Sequence, residues 1–177
     1  MKGTISRCLA SLVRKRGGPD AWSDVVRAAG AGEAEFMLEL AGSDVEDDLV
    51  LRLFKHSAER LRLTEHQIYD AFGEHWCVDY APKVYGAIIS RFASAREMIL
   101  GLDRVHVHVT ATMARARPPR FEYAWSDERT LLVTYKSTRS LIGLYIGLAR
   151  GVGKLFGERL VVAQDGPNRV RIVFEHA

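Results

Sequence analysis

The first two thirds of the chain show the apolar spacing that is typical of amphipathic helices. Near the start, the apolar positions that recur at intervals of three and four are Ile5, Cys8, Leu9, Leu12 and Val13. This spacing predicts a helix over residues 4–16, and the following Gly17–Gly18 pair would end it. A second, short helix is expected to start at Pro19 and to end near Gly30.

Two capping signatures mark the start of further helices. Ser43-x-x-Glu46 and Thr64-x-x-Gln67 both match the capping box, in which a hydroxyl and a carboxylate or amide each bind the other residue's backbone N–H. A further helix is predicted over residues 84–100, with Gly101 at its end.

The last third of the chain alternates apolar and polar residues, as strands do. The predicted elements are strands 121–125 and 129–137, a helix over 139–156, and strands 159–164 and 169–175. Helices followed by strands in this order predict an α+β fold, with an N-terminal helical lobe and a second lobe of helices and a four-stranded antiparallel sheet. We find no repeat or long linker, so residues 1–177 are expected to form a single domain.

One segment, Val105–His106–Val107–His108–Val109, has two interpretations. Its alternation favours a strand, which would place His106 and His108 on one face as a possible metal edge. In a helix the two rings would point about 200° apart, and only one could face a pocket. The spacing by itself favours the strand.

The charge of the chain does not indicate a nucleic-acid partner. The net charge is +3, from 25 basic and 22 acidic residues, whereas a nucleic-acid interface concentrates Lys and Arg on one face. The nearest cluster, Arg115, Arg117 and Arg120, is interpreted as a solvated loop, so no nucleic-acid partner is expected.

Membrane association is not expected either, because no apolar run approaches the ~18 residues that a spanning helix needs. The N-terminus lacks the layout of a signal peptide. The two cysteines, Cys8 and Cys77, are isolated, as in proteins of a reducing compartment. A cytoplasmic location is therefore expected.

Three short motifs carry the candidate chemistry. They are Asp103–Arg104–Val105–His106 with Thr110, Pro118–Pro119–Arg120, and Tyr135-x-Ser137-x-Arg139. Each is weak by itself, because a lone histidine on an apolar segment is usually a core residue and a Tyr-x-Ser-x-Arg string recurs by chance. Their value lies in their combination and order.

In that order the motifs resemble the haem–nitric oxide/oxygen-binding (H-NOX) family, the sensor domain of soluble guanylate cyclase and of stand-alone bacterial proteins. The opening Met1–Lys2–Gly3–Thr4–Ile5 is also similar to the start of bacterial members. The resemblance covers essentially the whole chain, and it implies that residues 105–109 are helical.

The resemblance implies a role for each motif. His106 would ligate the iron of one haem b, a usual task for imidazole. The propionates would be held by Tyr135, Ser137 and Arg139, whose hydroxyls and planar guanidinium suit carboxylate oxygens. Pro119 would press on the porphyrin. The haem would lie between the two lobes, and the remaining apolar residues that would line its pocket are Ile5, Leu144 and Leu148.

The function implied is that of a gas sensor that regulates a separate partner, a histidine kinase or a cyclic-di-GMP enzyme, and not that of an enzyme. Oxygen-binding relatives carry a distal tyrosine nine residues after the motif tyrosine. Nine residues after Tyr135 stands Leu144, which has no hydrogen-bond donor. The expected ligand is therefore nitric oxide, with CO as a further ligand and O₂ as the alternative.

Other interpretations stay open at this point. An oxygen sensor would need a donor from Tyr145, Trp76 or Tyr80. A haem peroxidase would need a distal acid–base pair, for which His75 is the one histidine that we can name. A zinc hydrolase would use His106 and His108 but lacks an HExxH motif. A haem-free interaction domain is the remaining alternative.

Overall fold

A computed structural model describes residues 1–111, 116–139 and 141–175. The chain forms two compact units, Met1–Phe72 and Gly73–Ala177. Arg115, which belongs to the basic cluster noted above, lies outside the described residues. No described helix is long and apolar enough to cross a membrane.

The first unit is built from helices. They are α1 (Gly3–Gly17), α2 (Ala21–Ala28), a 3₁₀ turn (Gly32–Ala34), α3 (Glu35–Leu38), α4 (Asp47–Leu61) and the start of α5 (Glu65–Glu74). The prediction for residues 4–16 is confirmed, and the apolar side of α1 is fully buried at Leu9 and Val13. Gly18 ends this helix with a φ of 91°, a value that favours glycine.

The two predicted capping boxes have different outcomes. The box at Thr64 is confirmed, because the Gln67 N–H donates to Thr64 Oγ1 at 3.3 Å and the Thr64 N–H donates to Gln67 Oε1 at 2.8 Å. The box at Ser43 is wrong. Its hydroxyl lies 2.7 Å from the carbonyls of both Met37 and Leu40 and so caps the preceding segment, while α4 begins only after Glu46.

The second unit combines helices with a four-stranded antiparallel sheet. Its elements are the end of α5, a π-helical segment (His75–Tyr80), α6 (Ala81–Ile89), α7 (Ala95–Thr110), β1 (Arg120–Trp125), β2 (Thr130–Lys136), α8 (Ile142–Phe156), β3 (Leu160–Gln164) and β4 (Arg169–Phe174). The strand order is β1-β2-β4-β3. The α+β prediction is confirmed. One sheet face is buried through Leu131, Val133, Val170 and Ile172, and α7 and α8 contact its two outer strands.

The single helix predicted over residues 84–100 is wrong, because α6 and α7 are separate. Ser94 caps the start of α7: its Oγ accepts from the Glu97 N–H at 3.1 Å, and the Glu97 carboxylate accepts from the N–H of the preceding residue, Ala93, at 2.8 Å. Gly101, predicted as a stop, lies inside α7. A Cβ there would come within 2.5 Å of the Phe92 ring, so the glycine makes room for that ring.

Residues 105–109 are helical, as the family resemblance implied, and the strand that their alternation favoured is wrong. His106 is partly buried and His108 is exposed. Because the helix turns the two rings to different sides, they cannot form the shared metal edge that a strand would have given.

Both predicted hairpins are confirmed, with small shifts at their ends. In the first turn, the Asp127 carboxylate accepts from the backbone N–H groups of Arg129 at 2.9 Å and of Thr130 at 2.8 Å. Strand β2 ends at Lys136 and α8 begins at Ile142. Ser137 and Arg139 therefore lie in the connection between strand and helix, not on the strand or helix predicted for them.

Candidate functional site

The imidazole of His106 is oriented by the chain segment that leads into β1. Its Nδ1 lies 3.4 Å from the Pro119 carbonyl oxygen, a distance at which an Nδ1 proton can be donated. The ring centroid is 5.6 Å from that of Phe121. Burial lowers the pKa of His106, more than its bond to Pro119 raises it, so the neutral ring is favoured. With the proton on Nδ1, the Nε2 lone pair is available to a metal.

A carboxylate one helical turn before His106 holds the start of β1. Asp103 accepts from Arg120 at both oxygens, each at 2.7 Å, and from the Phe121 N–H at 3.1 Å. The hydrogen bond from Arg120 holds the pKa of Asp103 below its usual value. Sequence reasoning placed Asp103 and Arg120 in separate motifs, and no signal paired them.

The Tyr-x-Ser-x-Arg motif gathers at the end of β2. Tyr135 is buried at 7% exposure, and its hydroxyl interacts with that of Ser137 and with the charge of Arg139. Burial nevertheless raises the pKa of Tyr135. The Arg139 N–H donates to Ser137 Oγ at 3.1 Å, and its guanidinium donates to the Arg117 carbonyl. The structure therefore brings the three motif residues together in the second unit.

An aromatic cluster connects the histidine with this motif. Phe121 lies 4.8 Å from Tyr145 and 5.9 Å from Tyr135, between ring centroids, and Tyr145 lies 6.0 Å from Tyr135. Phe121 was not among the predicted site residues. Its position at the first inward-facing site of β1, two residues after Pro119, is the signal that could have identified it.

Two of the three apolar residues predicted for the pocket, Leu144 and Leu148, lie on α8. Leu144 is buried at 5% exposure, and Leu148 is partly buried, with its carbonyl 3.6 Å from the Cys77 sulfur. Tyr145 is also buried, and its hydroxyl has no hydrogen-bond partner among the described residues. Ile5 lies on α1 in the first unit, half-buried, and its expected contact with a cofactor stays a prediction.

The π-helical segment carries the other residues that the sequence singled out. His75 is buried, and its Nδ1 lies 2.9 Å from the Asp79 carboxylate, which holds its ring. The Trp76 ring lies 5.4 Å from that of Tyr80. π-helical turns occur frequently at functional sites, so this segment is a candidate wall of the pocket.

Comparison with known proteins gives these arrangements a context. The haem-NO-binding family matches residues 2–164. The chain belongs to this family. Haem-NO-binding domains bind haem and sense gases, and they are sensor domains and not enzymes.

Solved H-NOX structures share the fold over the whole chain. An oxygen-binding H-NOX domain related to soluble guanylate cyclases, in its oxygen complex, is 22% identical, with a TM-score of 0.80 over 99% of this chain and 96% of that one. An H-NOX protein from S. oneidensis in the Fe(II)NO ligation state is 16% identical, with a TM-score of 0.85 over 99% and 98%. A variant of the T. Tengcongensis H-NOX is 21% identical, with a TM-score of 0.82 over 99% and 98%.

Proposed function

We propose that this member of the haem-NO-binding family holds one haem b through His106 and senses nitric oxide on behalf of a separate signalling partner. The observation that carries the proposal is the pairing of His106 Nδ1 with the Pro119 carbonyl at 3.4 Å. A histidine that ligates a metal usually donates its other ring N–H to a carbonyl or a carboxylate. This partner leaves Nε2 as the ligating atom.

The electrostatics of the ring fit an axial ligand. A metal binds the neutral imidazole, and burial of His106 favours that form by lowering its pKa. When bound, haem supplies an iron atom that binds a diatomic gas. The role of the chain is then to hold the imidazole in one orientation and to shield it from water.

The donors at the end of β2 fit the haem propionates. Two carboxylates beside an apolar pocket are costly without partners, and this region offers the hydroxyls of Tyr135 and Ser137 and the guanidinium of Arg139. Ser137 is exposed and Arg139 partly exposed, as befits groups that hold the polar edge of an otherwise apolar cofactor. Pro119, Leu144 and Leu148 would line its apolar part.

Selectivity for NO follows from the lack of a donor at Leu144. Oxygen bound to ferrous iron gains from a hydrogen bond of roughly 1.5–3 kcal/mol when the acceptor carries charge, and NO needs that bond far less. Tyr145, one position further along α8, packs on Phe121, the same ring that packs on His106. This placement supports a role for the Tyr145 ring in the aromatic cluster beside the axial histidine.

The partner is proposed from the resemblance to stand-alone bacterial members, namely a histidine kinase or a cyclic-di-GMP enzyme in the cytoplasm. Co-purification of this protein with each enzyme class from the native host tests this partner.

The test is the absorption spectrum of the reduced protein under NO, CO and air. We expect a Soret band, spectral changes with NO and CO, and no stable oxygen complex in air. His106→Gly should lose the band unless imidazole is supplied. A colourless protein that takes up zinc instead of haem would contradict the proposal.

One observation favours O₂ as a second candidate ligand. The buried Tyr145 hydroxyl has no partner among the described residues, and a bound gas could accept from it. An oxygen complex that is stable for hours in the wild type and is lost in Tyr145→Phe would establish this alternative. If the complex instead disappears in Tyr80→Phe or Trp76→Phe, the donor lies on the π-helical segment.

A further inference from the structure

The Asp103 carboxylate is the most heavily hydrogen-bonded acceptor near the candidate site. Within the described residues it receives three bonds from two consecutive residues, two from the Arg120 guanidinium and one from the Phe121 N–H. Exposed ion pairs usually contribute little, but this one is bidentate and has a backbone donor as its third contact. The Asp103 side chain is only 20% exposed, although that of Arg120 is 58% exposed.

This carboxylate is linked to His106 from two directions. Asp103 and His106 are three residues apart on α7, so they lie on the same side of the helix. Across from them, Arg120 directly follows Pro119, whose carbonyl faces His106 Nδ1. Fixing Arg120 and Phe121 to Asp103 therefore fixes the peptide group that faces the imidazole.

The distance between Nδ1 and the carbonyl oxygen makes this support important. At 3.4 Å the bond is longer than the usual ~2.9–3.0 Å for N–H···O. A small displacement of Pro119 would lose it, and the Nδ1 proton would then be exposed to exchange with water.

We propose that the Asp103–Arg120 pair positions the Pro119 carbonyl against His106 Nδ1 and so fixes the tautomer and orientation in which Nε2 meets the haem iron. The inference rests on the proposed ligation by His106. Both members of the pair are positioning residues, since they act through Pro119 and need no contact with haem.

The consequence for the iron bond follows from the chemistry of imidazole. Donation from Nδ1 raises the basicity of the opposite nitrogen. Loss of the pair should therefore weaken the bond between iron and His106 and expose the Nδ1 proton. General loosening of the protein would not produce these two changes together.

The experiment compares reduced, haem-loaded wild type with Asp103→Ala, Arg120→Ala and Asp127→Ala. Asp127 is the matched control, because its carboxylate also accepts more than one hydrogen bond, here from the backbone N–H groups of Arg129 and Thr130, but at the turn end of the same hairpin. Resonance Raman spectroscopy gives the iron–histidine stretching frequency. Proton NMR gives the rate at which the His106 Nδ1 proton exchanges with solvent, because the paramagnetic iron shifts the resonance of this proton away from the others.

We expect Asp103→Ala and Arg120→Ala to lower the stretching frequency and to speed exchange of the Nδ1 proton at least tenfold. Asp127→Ala should match the wild type in both. Arg120→Lys, which keeps the charge but not the bidentate geometry, should fall between wild type and Arg120→Ala. If Asp103→Ala does not fold, Arg120→Ala decides the question, since its side chain is largely exposed.

Two results would overturn the inference. One is an iron–histidine stretching frequency and an Nδ1 exchange rate in Arg120→Ala that both equal those of the wild type. The other is a change in Asp127→Ala as large as that in Asp103→Ala and Arg120→Ala. In either case the proposed function stands as long as His106→Gly abolishes the iron–histidine band. If the iron–histidine band instead persists in His106→Gly, the proposed function is overturned, and the inference with it.

Discussion

The two units use buried polar groups for different purposes. In the first unit, the Ser6 hydroxyl lies within hydrogen-bonding distance of the carbonyls of both Gly3 and Leu38, which share its one proton, and the Thr4 hydroxyl donates to the carbonyl of Ala41 at 3.1 Å. These hydroxyls hold helices and loops together. In the second unit a similar bond to a backbone carbonyl is made by an imidazole, that of His106, whose second nitrogen can bind a metal.

This difference between the two units predicts where substitutions should affect function. Within the first unit, loss of one of these bonds removes a support of the fold. Within the second, the same loss would change the state of the proposed axial ligand or of a proposed partner of the haem propionates. We therefore expect changes in the second unit to alter haem binding beyond their effect on stability.

The largest expected effect is that of His106→Gly, which removes the proposed axial ligand. The purified variant should contain less than a tenth of the wild-type haem, and added imidazole should restore binding. His108→Ala is the matched control two residues away on the same helix, and it should keep its haem because His108 is exposed. Haem content measured as a pyridine haemochrome checks both. If His108→Ala lost its haem and His106→Gly kept it, the assignment of His106 as the ligand would be wrong.

Arg139→Ala should have the next largest effect. It removes a cationic donor from the proposed propionate partners, and a hydrogen bond to a charged group contributes about 1.5–3 kcal/mol. Haem transfer to excess apomyoglobin should therefore become roughly ten- to a hundredfold faster, since each 1.4 kcal/mol is about tenfold. Arg129→Ala, at the exposed turn of the same hairpin, should transfer haem at the wild-type rate. Equal rates in wild type and Arg139→Ala would refute the propionate role.

The same contrast explains what the sequence could predict. The hairpins and the helix α1 follow from local periodicity, and Thr64 and Gln67 form their cap within four residues. The turn at Asp127 is equally local, because it closes within four residues, from Asp127 to Thr130. Such features depend only on neighbours in the chain.

Two predictions from local sequence patterns are wrong because tertiary contacts override those patterns. The alternation in residues 105–109 favoured a strand, but α7 is helical because its start is fixed by the cap at Ser94 and its length is supported by packing. Gly101 predicts the end of a helix, but it lies inside α7, where the absence of a side chain makes room for the Phe92 ring. In both cases tertiary contacts outweighed a local preference.

The candidate site required more than local pattern. Resemblance to a family identified His106 and the Tyr-x-Ser-x-Arg motif, but the Asp103–Arg120 pair joins residues 17 apart and has no motif of its own. The inward-facing position of Phe121 on β1 could have been predicted, but its contacts with His106 and Tyr145 are made only in the folded chain.

A smaller effect is expected from Leu144→Tyr, which adds a phenol where the chain has no donor. If Leu144 faces the bound gas, the variant should bind O₂ at least tenfold more tightly than the wild type. Leu144→Phe is the control, because it adds the ring without the hydroxyl. O₂ titration of the reduced proteins under low oxygen checks this, and an equal gain in both variants would show that size and not hydrogen bonding is responsible.

The smallest effect, and the most direct test of the contrast between the units, compares two helix caps. Thr64 caps α5 at 3.3 Å and Ser94 caps α7 at 3.1 Å. Thr64→Ala and Ser94→Ala should each lower the free energy of unfolding by about 1 kcal/mol, measured by urea denaturation of the haem-loaded protein. Ser94→Ala should also speed haem loss two- to threefold, because α7 carries His106, while Thr64→Ala should leave that rate unchanged. If both variants lose haem at the same increased rate, haem retention follows overall stability, and the proposed division between the units is wrong.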